Sequence, residues 1–273
     1  YFKKRRRKNS FLNFLMEGTS FGRDFLFKKI REHVKKKTKG LYPAPFLLID
    51  SVEQGYKFSL DRGYIKEAKS FAKLAQSQEC RSLIHLYFLS QENKKNRYSS
   101  NKDKEKVSSI GIVGAGLMGS GIGLVSIEKG FNVVLKDIDY QSLVLGQKFI
   151  YKELVNKVNK RHITEFSSKQ IISRLNPTIK DSDLGNVDII IEAVYEDVEL
   201  KKSVFKSIEE VVSPNTVIAT NTSALPLAKL IENTSNKDRF IGMHYFSPVH
   251  KMPLLEIVKT KDSSTDTISK QLM

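Results

Sequence analysis

Ser109-Ile110-Gly111-Ile112-Val113-Gly114-Ala115-Gly116-Leu117-Met118-Gly119 is the stretch on which the reading of this chain turns. A short apolar run, Ser109 to Val113, reads as a strand. A G-x-G-x-x-G turn comes directly after it, and the residues beyond run towards Gly130 as a helix. In that order each glycine has its own task. Gly114 permits a tight turn, Gly116 lets the backbone approach a bound pyrophosphate, and Gly119 lets helix and strand pack closely. The helix N-terminus, with Leu117 and Met118 in its first turn, offers unpaired N–H groups and a partial positive charge to an anion.

A glycine motif alone says little, and its sequence context gives it weight. A second strand, Asn132 to Leu135, leads to Asp137, where an acidic side chain accepts hydrogen bonds from an adenosine ribose. A carboxylate there repels a 2′-phosphate, so the pattern favours NAD over NADP, although the neighbouring Lys136 weakens that preference. The competing reading is a glycine-rich turn with an incidental surface aspartate.

Further along, apolar runs rich in β-branched residues alternate with helical stretches. The runs are Ile189 to Ala193, Val217 to Ala219, Ile241 to Met243 and Leu254 to Val258. From Val107 onward the alternation predicts an α/β fold, a Rossmann-type doubly wound and mainly parallel sheet. Residues 93–106 are polar and charged, with too little apolar surface to join a core, and read as a linker. Residues 1–92 read as helices. Phe27, Ile30 and Val34 share one face; Gly40, with Pro43 and Pro45 beyond it, marks a helix stop. Tyr64, Ala68, Phe71, Leu74 and Ala75 form a second apolar face, and Leu83, Leu86, Tyr87 and Leu89 a third. These are expected to be packing helices.

The chain has 273 residues and is 40% hydrophobic, enough for a substantial core. No stretch approaches the roughly 18 uninterrupted apolar residues of a membrane span. The single cysteine, Cys80, rules out an intramolecular disulfide and reads as a small core residue. The formal charge is +16. Most of the excess lies in the first forty residues, including Lys3-Lys4-Arg5-Arg6-Arg7-Lys8. No aromatic-interleaved RNA motif or zinc-ligand pattern accompanies it, so a solvated basic segment is expected rather than a nucleic-acid or metal site. The chain opens on Tyr1 and closes on a helix reaching Met273, which reads as part of a longer protein.

A nicotinamide cofactor implies hydride transfer, and oxidising an alcohol also needs a base for the hydroxyl proton. Of five histidines, His33, His85 and His162 lie in charged or helical packing segments. His244 instead comes just after the strand Phe240 to Met243, at the carboxyl edge where open α/β sheets bind ligands. Pro248 breaks the chain, and Leu254 to Val258 returns as a strand that can carry Glu256 beside the imidazole to orient it. Asn221-Thr222-Ser223 likewise comes just after the strand Val217 to Thr220, so its polar side chains should face the cleft. The alternative for Ser223 is a plain helix N-cap.

Four ordered motifs now carry a resemblance: Gly111 to Gly119, Ile191-Glu192-Ala193-Val194-Tyr195-Glu196-Asp197, Asn221-Thr222-Ser223-Ala224-Leu225-Pro226, and Gly242-Met243-His244-Tyr245-Phe246-Ser247-Pro248-Val249. The chain resembles the 3-hydroxyacyl-CoA dehydrogenase family, in the form found in the α subunits of mitochondrial trifunctional enzymes. Lys39 to Pro45 is similar to the segment joining their hydratase and dehydrogenase portions. The resemblance implies that NAD is the cofactor, that His244 is the base with Glu256 as its partner, and that Ser223 contacts the substrate hydroxyl. It places Glu196 and Lys201 near the cofactor, and Lys157 at the CoA phosphates. Ser247 stands where single-function members carry asparagine.

The resemblance also implies an acyl-CoA substrate, a thiolase β subunit as partner, and a location in the mitochondrial matrix or at the inner membrane. Hydratase activity is not expected of these 273 residues, and neither is full dehydrogenase activity without the family's C-terminal helical domain. Two rivals remain. One is another β-hydroxyacid dehydrogenase, for which a lysine base is expected; the other is a non-enzymatic binder of anionic membrane or RNA working through the basic first forty residues.

Overall fold

The computed structural model describes residues 18–93 and 107–271, and the chain divides into two compact units, residues 1–95 and 96–273. The basic run at residues 3–8 and most of the predicted linker lie outside the described residues.

The first unit contains α1 (Ser20–Thr38), α2 (Ala44–Lys57), α3 (Leu60–Ala75) and α4 (Gln78–Asn93). Thr19 caps α1 by accepting the Gly22 N–H. The helix ends with Lys39 already left-handed at φ 52°, one residue before the predicted Gly40, which is itself at φ 77°. Pro43 then starts α2 without costing a hydrogen bond. Arg31 of α1 reaches α2 through Asp50, at 2.7 Å, and Glu53. α2 and α3 approach closely because glycines meet: a Cβ on Gly63 would sit 3.0 Å from the Gly55 Cα.

Two expectations are corrected in this unit. Tyr64 and Phe71, predicted to pack, are exposed, as are Leu83, Leu86, Tyr87 and Leu89, because no described element of the unit covers these faces of α3 and α4. Cys80 is half-buried rather than in a core, for the same reason. No helix among the described residues is long and apolar enough to cross a membrane.

The second unit is a seven-stranded sheet of order β3-β2-β1-β4-β5-β6-β7. Its strands are β1 (Ser109–Val113), β2 (Asn132–Lys136), β3 (Leu175–Thr178), β4 (Ile189–Glu192), β5 (Val217–Thr220), β6 (Phe240–Tyr245) and β7 (Leu255–Val258). All pairs are parallel except β6 with β7. Helices α5 (Leu117–Glu128), α6 (Tyr140–Asn159), α7 (Glu165–Ile172), α8 (Val198–Val211), α9 (Leu227–Leu230) and α10 (Thr265–Gln271) make the connections or end the described chain. The Rossmann-type fold is therefore as expected. One strand goes beyond the sequence pattern: Leu175-Asn176-Pro177-Thr178 lacks an apolar run, and its proline is tolerated because β3 is an edge.

Alternation along each strand builds two cores. Ile110, Ile112, Ile189, Ile191 and Ala219 face one way and pack with Ile122 of α5 and Leu143 and Ile150 of α6. Val113, Ile190 and Ile218 face the other and pack with Phe205 and Ile208 of α8. With both faces covered, the central strands are apolar along most of their length, as buried parallel strands tend to be, and turn polar only at their carboxyl ends.

Asp188 anchors the start of β1. Its Oδ2 accepts the Ser108 N–H at 2.8 Å, the Ser109 N–H at 2.9 Å, and both serine hydroxyls. Burial works to raise the Asp188 pKa, but these hydrogen bonds outweigh it and hold the carboxyl below its ordinary range. A depressed folded-state pKa stabilises above the ordinary carboxylate range, and the gain is lost as pH falls through the folded value. Asp188→Asn is therefore expected to lower stability by about 1–2 kcal/mol near neutral pH, with the difference from wild type shrinking as urea denaturation is repeated at progressively lower pH.

Candidate functional site

A cavity of about 900 Å³ opens at the carboxyl ends of β1, β2, β4, β5 and β6, where an open parallel sheet leaves its crevice. Gly114, Gly116, Leu117, Met118, Asp137, Glu196, Lys201, Ser223, His244 and Ser247 all line it. The structure therefore gathers nearly every candidate residue around one space.

The glycine turn has the shape its residues imply. Gly114 is at φ 107°, and a Cβ there would lie 2.7 Å from the Ala193 carbonyl oxygen. A Cβ on Gly119 would lie 1.7 Å from the Gly114 oxygen, so no side chain fits where α5 leaves the turn. At Gly116 a Cβ would meet nothing within 4 Å, which leaves the backbone approachable from the cavity. The first N–H groups of α5 have no acceptor within the helix. This cradle fits a dinucleotide pyrophosphate. Asp137 stands against it: Oδ2 accepts the Ala115 N–H at 2.6 Å and Oδ1 the Ile138 N–H at 2.7 Å.

Beneath the cavity lies a charged cluster that joins Glu196 and Lys201, both expected near the cofactor, to Glu192, which sequence reasoning did not single out as a site residue. Glu192, the last residue of β4, is 0% exposed, and Lys201 of α8 is 1% exposed, with Lys201 Nζ 2.7 Å from Glu192 Oε1. Glu192 also accepts the Val194 N–H at 2.8 Å and the Thr220 hydroxyl at 2.6 Å. Lys201 Nζ lies 3.3 Å from Glu196 Oε2. Glu196 in turn accepts the Thr222 hydroxyl, the Ser223 N–H at 2.9 Å and the Ser223 hydroxyl at 3.3 Å. Burial works to raise the Glu196 pKa, but the Thr222 and Ser223 hydrogen bonds and the Lys201 charge prevail and lower it. The available signal was a carboxylate closing the run Ile189-Ile190-Ile191-Glu192, where an acidic residue in a buried strand demands a partner.

His244 lies within β6, not beyond it as expected, because β6 extends through Tyr245 to pair with β7. The antiparallel register sets His244 opposite Glu256, with Nδ1 2.9 Å from Glu256 Oε2. The ring also packs on Phe246, with centroids 4.5 Å apart. With Nδ1 engaged, Nε2 is the nitrogen left for other chemistry. Asn221 Oδ1 accepts the Tyr245 N–H at 2.8 Å, tying the β5 loop to β6, and burial pushes the Tyr245 phenol up to about 12.

The alternative reading of Ser223 as a helix N-cap is not met: α9 begins at Leu227 after Pro226, and the serine turns to Glu196 instead. Lys157, expected at the CoA phosphates, does not line the cavity. It pairs with Glu128 at the end of α5, and at 1.5 Å per residue it lies roughly 25 Å along α6 from Tyr140. No group of His, Cys, Asp and Glu suited to a metal occurs among the described residues.

A buried ion pair deprived of one partner leaves an uncompensated charge. Lys201→Met is expected to destabilise by about 3–5 kcal/mol in urea denaturation, and the double variant Glu192→Gln/Lys201→Met to recover more than half of that.

A family model described as "3-hydroxyacyl-CoA dehydrogenase, NAD binding domain" matches residues 109–273. The chain is 38% identical over 263 residues to a fatty acid oxidation complex subunit alpha of Shewanella sp. (strain W3-18-1), an alignment covering 96% of this chain and 37% of that protein. It thus spans little more than a third of the curated relatives it matches. Among solved structures, a (S)-3-hydroxybutyryl-CoA dehydrogenase from Ralstonia eutropha is similar at 37% identity and TM-score 0.59, covering 61% of each chain. A 3-hydroxybutyryl-CoA dehydrogenase from Escherichia coli K12 is similar at 30% identity and TM-score 0.59, covering 61% of this chain and 35% of that one. The chain belongs to the 3-hydroxyacyl-CoA dehydrogenase family, and the NAD-binding domain of that family occupies its residues 109–273.

Proposed function

We propose that the parent protein oxidises an L-3-hydroxyacyl-CoA to the 3-ketoacyl-CoA, with NAD as cofactor, within a multifunctional hydratase and dehydrogenase of fatty-acid β-oxidation. The observation that carries this reading is His244, on the wall of the cavity that contains the glycine turn, with Glu256 Oε2 2.9 Å from its Nδ1.

NAD, when bound, supplies the hydride acceptor. The N–H groups of Gly116, Leu117 and Met118 hold its pyrophosphate, and Asp137 holds its adenosine ribose. Ser223 is positioned by Glu196 to meet the substrate hydroxyl. His244 takes the hydroxyl proton on Nε2, while Glu256 fixes the ring through Nδ1 and stabilises the imidazolium that results. Ser247 lines the same wall. The rival with a lysine base is disfavoured because the two lysines that line the cavity are both engaged, Lys201 by the buried Glu192 and Lys136 by Asp181.

The remaining assignments belong to the same reading. Residues 1–92 are the end of a hydratase half and its connection, and 93–106 a linker. A thiolase β subunit is the partner, and the mitochondrial matrix or inner membrane the location, an assignment supported by motif resemblance although the bacterial relatives lack that compartment.

Asp137→Ala is expected to weaken NAD binding by about 1–3 kcal/mol and NADP binding much less, as titration calorimetry with both cofactors would show; equal losses would remove Asp137 from the ribose site. Glu256→Gln in the full-length parent is expected to slow single-turnover hydride transfer about 10²-fold or more while NAD affinity stays within about twofold. An unchanged rate with collapsed cofactor affinity would make Glu256 a structural residue.

A further inference from the structure

Lys136 ends β2, one residue before Asp137, and both line the cavity. An unpaired ammonium at this place would attract a ribose 2′-phosphate and oppose the discrimination that Asp137 provides. The ammonium is not unpaired. Lys136 Nζ lies 2.7 Å from Asp181 Oδ1, and the Lys136 side chain is only 11% exposed.

The position of Asp181 is built into the fold. Strand β3 pairs with β2 so that Thr178 stands opposite Lys136, and the Asp137 N–H donates to the Thr178 carbonyl at 3.2 Å. Asp181 then opens the helical turn Asp181–Leu184 just beyond β3. That turn is held in place: the Thr178 hydroxyl donates to Asp183 and accepts the Lys180 N–H at 3.0 Å, and Leu184 is fully buried. The carboxylate therefore meets the ammonium without rearrangement. Together they cancel, and Asp137 remains as the uncompensated charge of the three.

We propose that Asp181 determines cofactor specificity: by neutralising Lys136 it allows Asp137 to reject the 2′-phosphate of NADP. The inference rests on the reading of Asp137 as the ribose-binding residue. It also explains how a lysine beside that aspartate is compatible with NAD as the cofactor.

The test is calorimetric titration of NAD and NADP into the 273-residue chain, reading the ratio of the two dissociation constants. In Asp181→Asn the preference for NAD is expected to fall at least about fivefold at low ionic strength, with NAD affinity itself within about twofold, and the fall to shrink as salt is added. In Lys136→Met/Asp181→Asn both charges are gone and the wild-type ratio should return. A wild-type ratio in an Asp181→Asn variant with unaltered melting temperature and NAD affinity would overturn the proposal. So would an Asp181→Asn ratio that persists in the double variant, since the effect would then come from a displaced loop rather than from the Lys136 charge. Asp137→Ala separates the two levels of inference: equal losses of NAD and NADP affinity there would defeat the ribose reading itself, and the Asp181 proposal with it.

Discussion

The Lys201 ammonium and the Glu192 carboxylate are held where water does not reach, and much of the site depends on how fully each is satisfied. Removing two charges from water costs several kcal/mol per ion, and their attraction repays this only with good geometry and with partners for the remaining lone pairs and protons. Here the partners are the Val194 N–H, the Thr220 hydroxyl and Glu196. They come from two segments, the loop that joins β4 to α8 and the end of β5. Satisfying one buried pair therefore ties β4, that loop, β5 and α8 to a common point. The loops that carry Glu196 and Ser223 to the cavity are extensions of that point.

A second constraint comes from register. His244 and Glu256 face each other because β7 runs antiparallel to β6 with those two residues opposite. Side chains alternate across a sheet, so a slip of one residue would send Glu256 to the other face. Gly242 helps set the spacing, since a Cβ there would lie 2.9 Å from the Val258 Cβ. The dyad is thus a property of the strand pair, with Phe246 packed on the imidazole as further support.

The helical unit shows the opposite balance. Its contacts include ion pairs around Arg31 and Lys57, the packing of Phe27 on Tyr56 and the close approach of Gly55 and Gly63, while much of the apolar surface of α3 and α4 is exposed. The spacing of those apolar residues does mark helices, but periodicity identifies a face and not what covers it.

From the sequence alone came the glycine turn, Asp137, six of the seven strands, and the choice of His244 among five histidines. All of these rest on local rules: the period of apolar residues, the freedom of glycine, and the place where a strand ends. The edge strand β3 escaped because an edge can be short, polar and proline-containing. The Glu192–Lys201 pair and the Lys136–Asp181 pair were settled only by tertiary structure. A lysine is drawn as a solvated cation until folding shows which carboxylate stands beside it and how little water remains. Lys157 makes the same point, since its pairing with Glu128 at the end of α5 is visible only in the fold. Charge on a side chain can be read from a sequence, but its partner, and with it most of its energetic meaning, is a matter of distance and dielectric that only the folded chain decides.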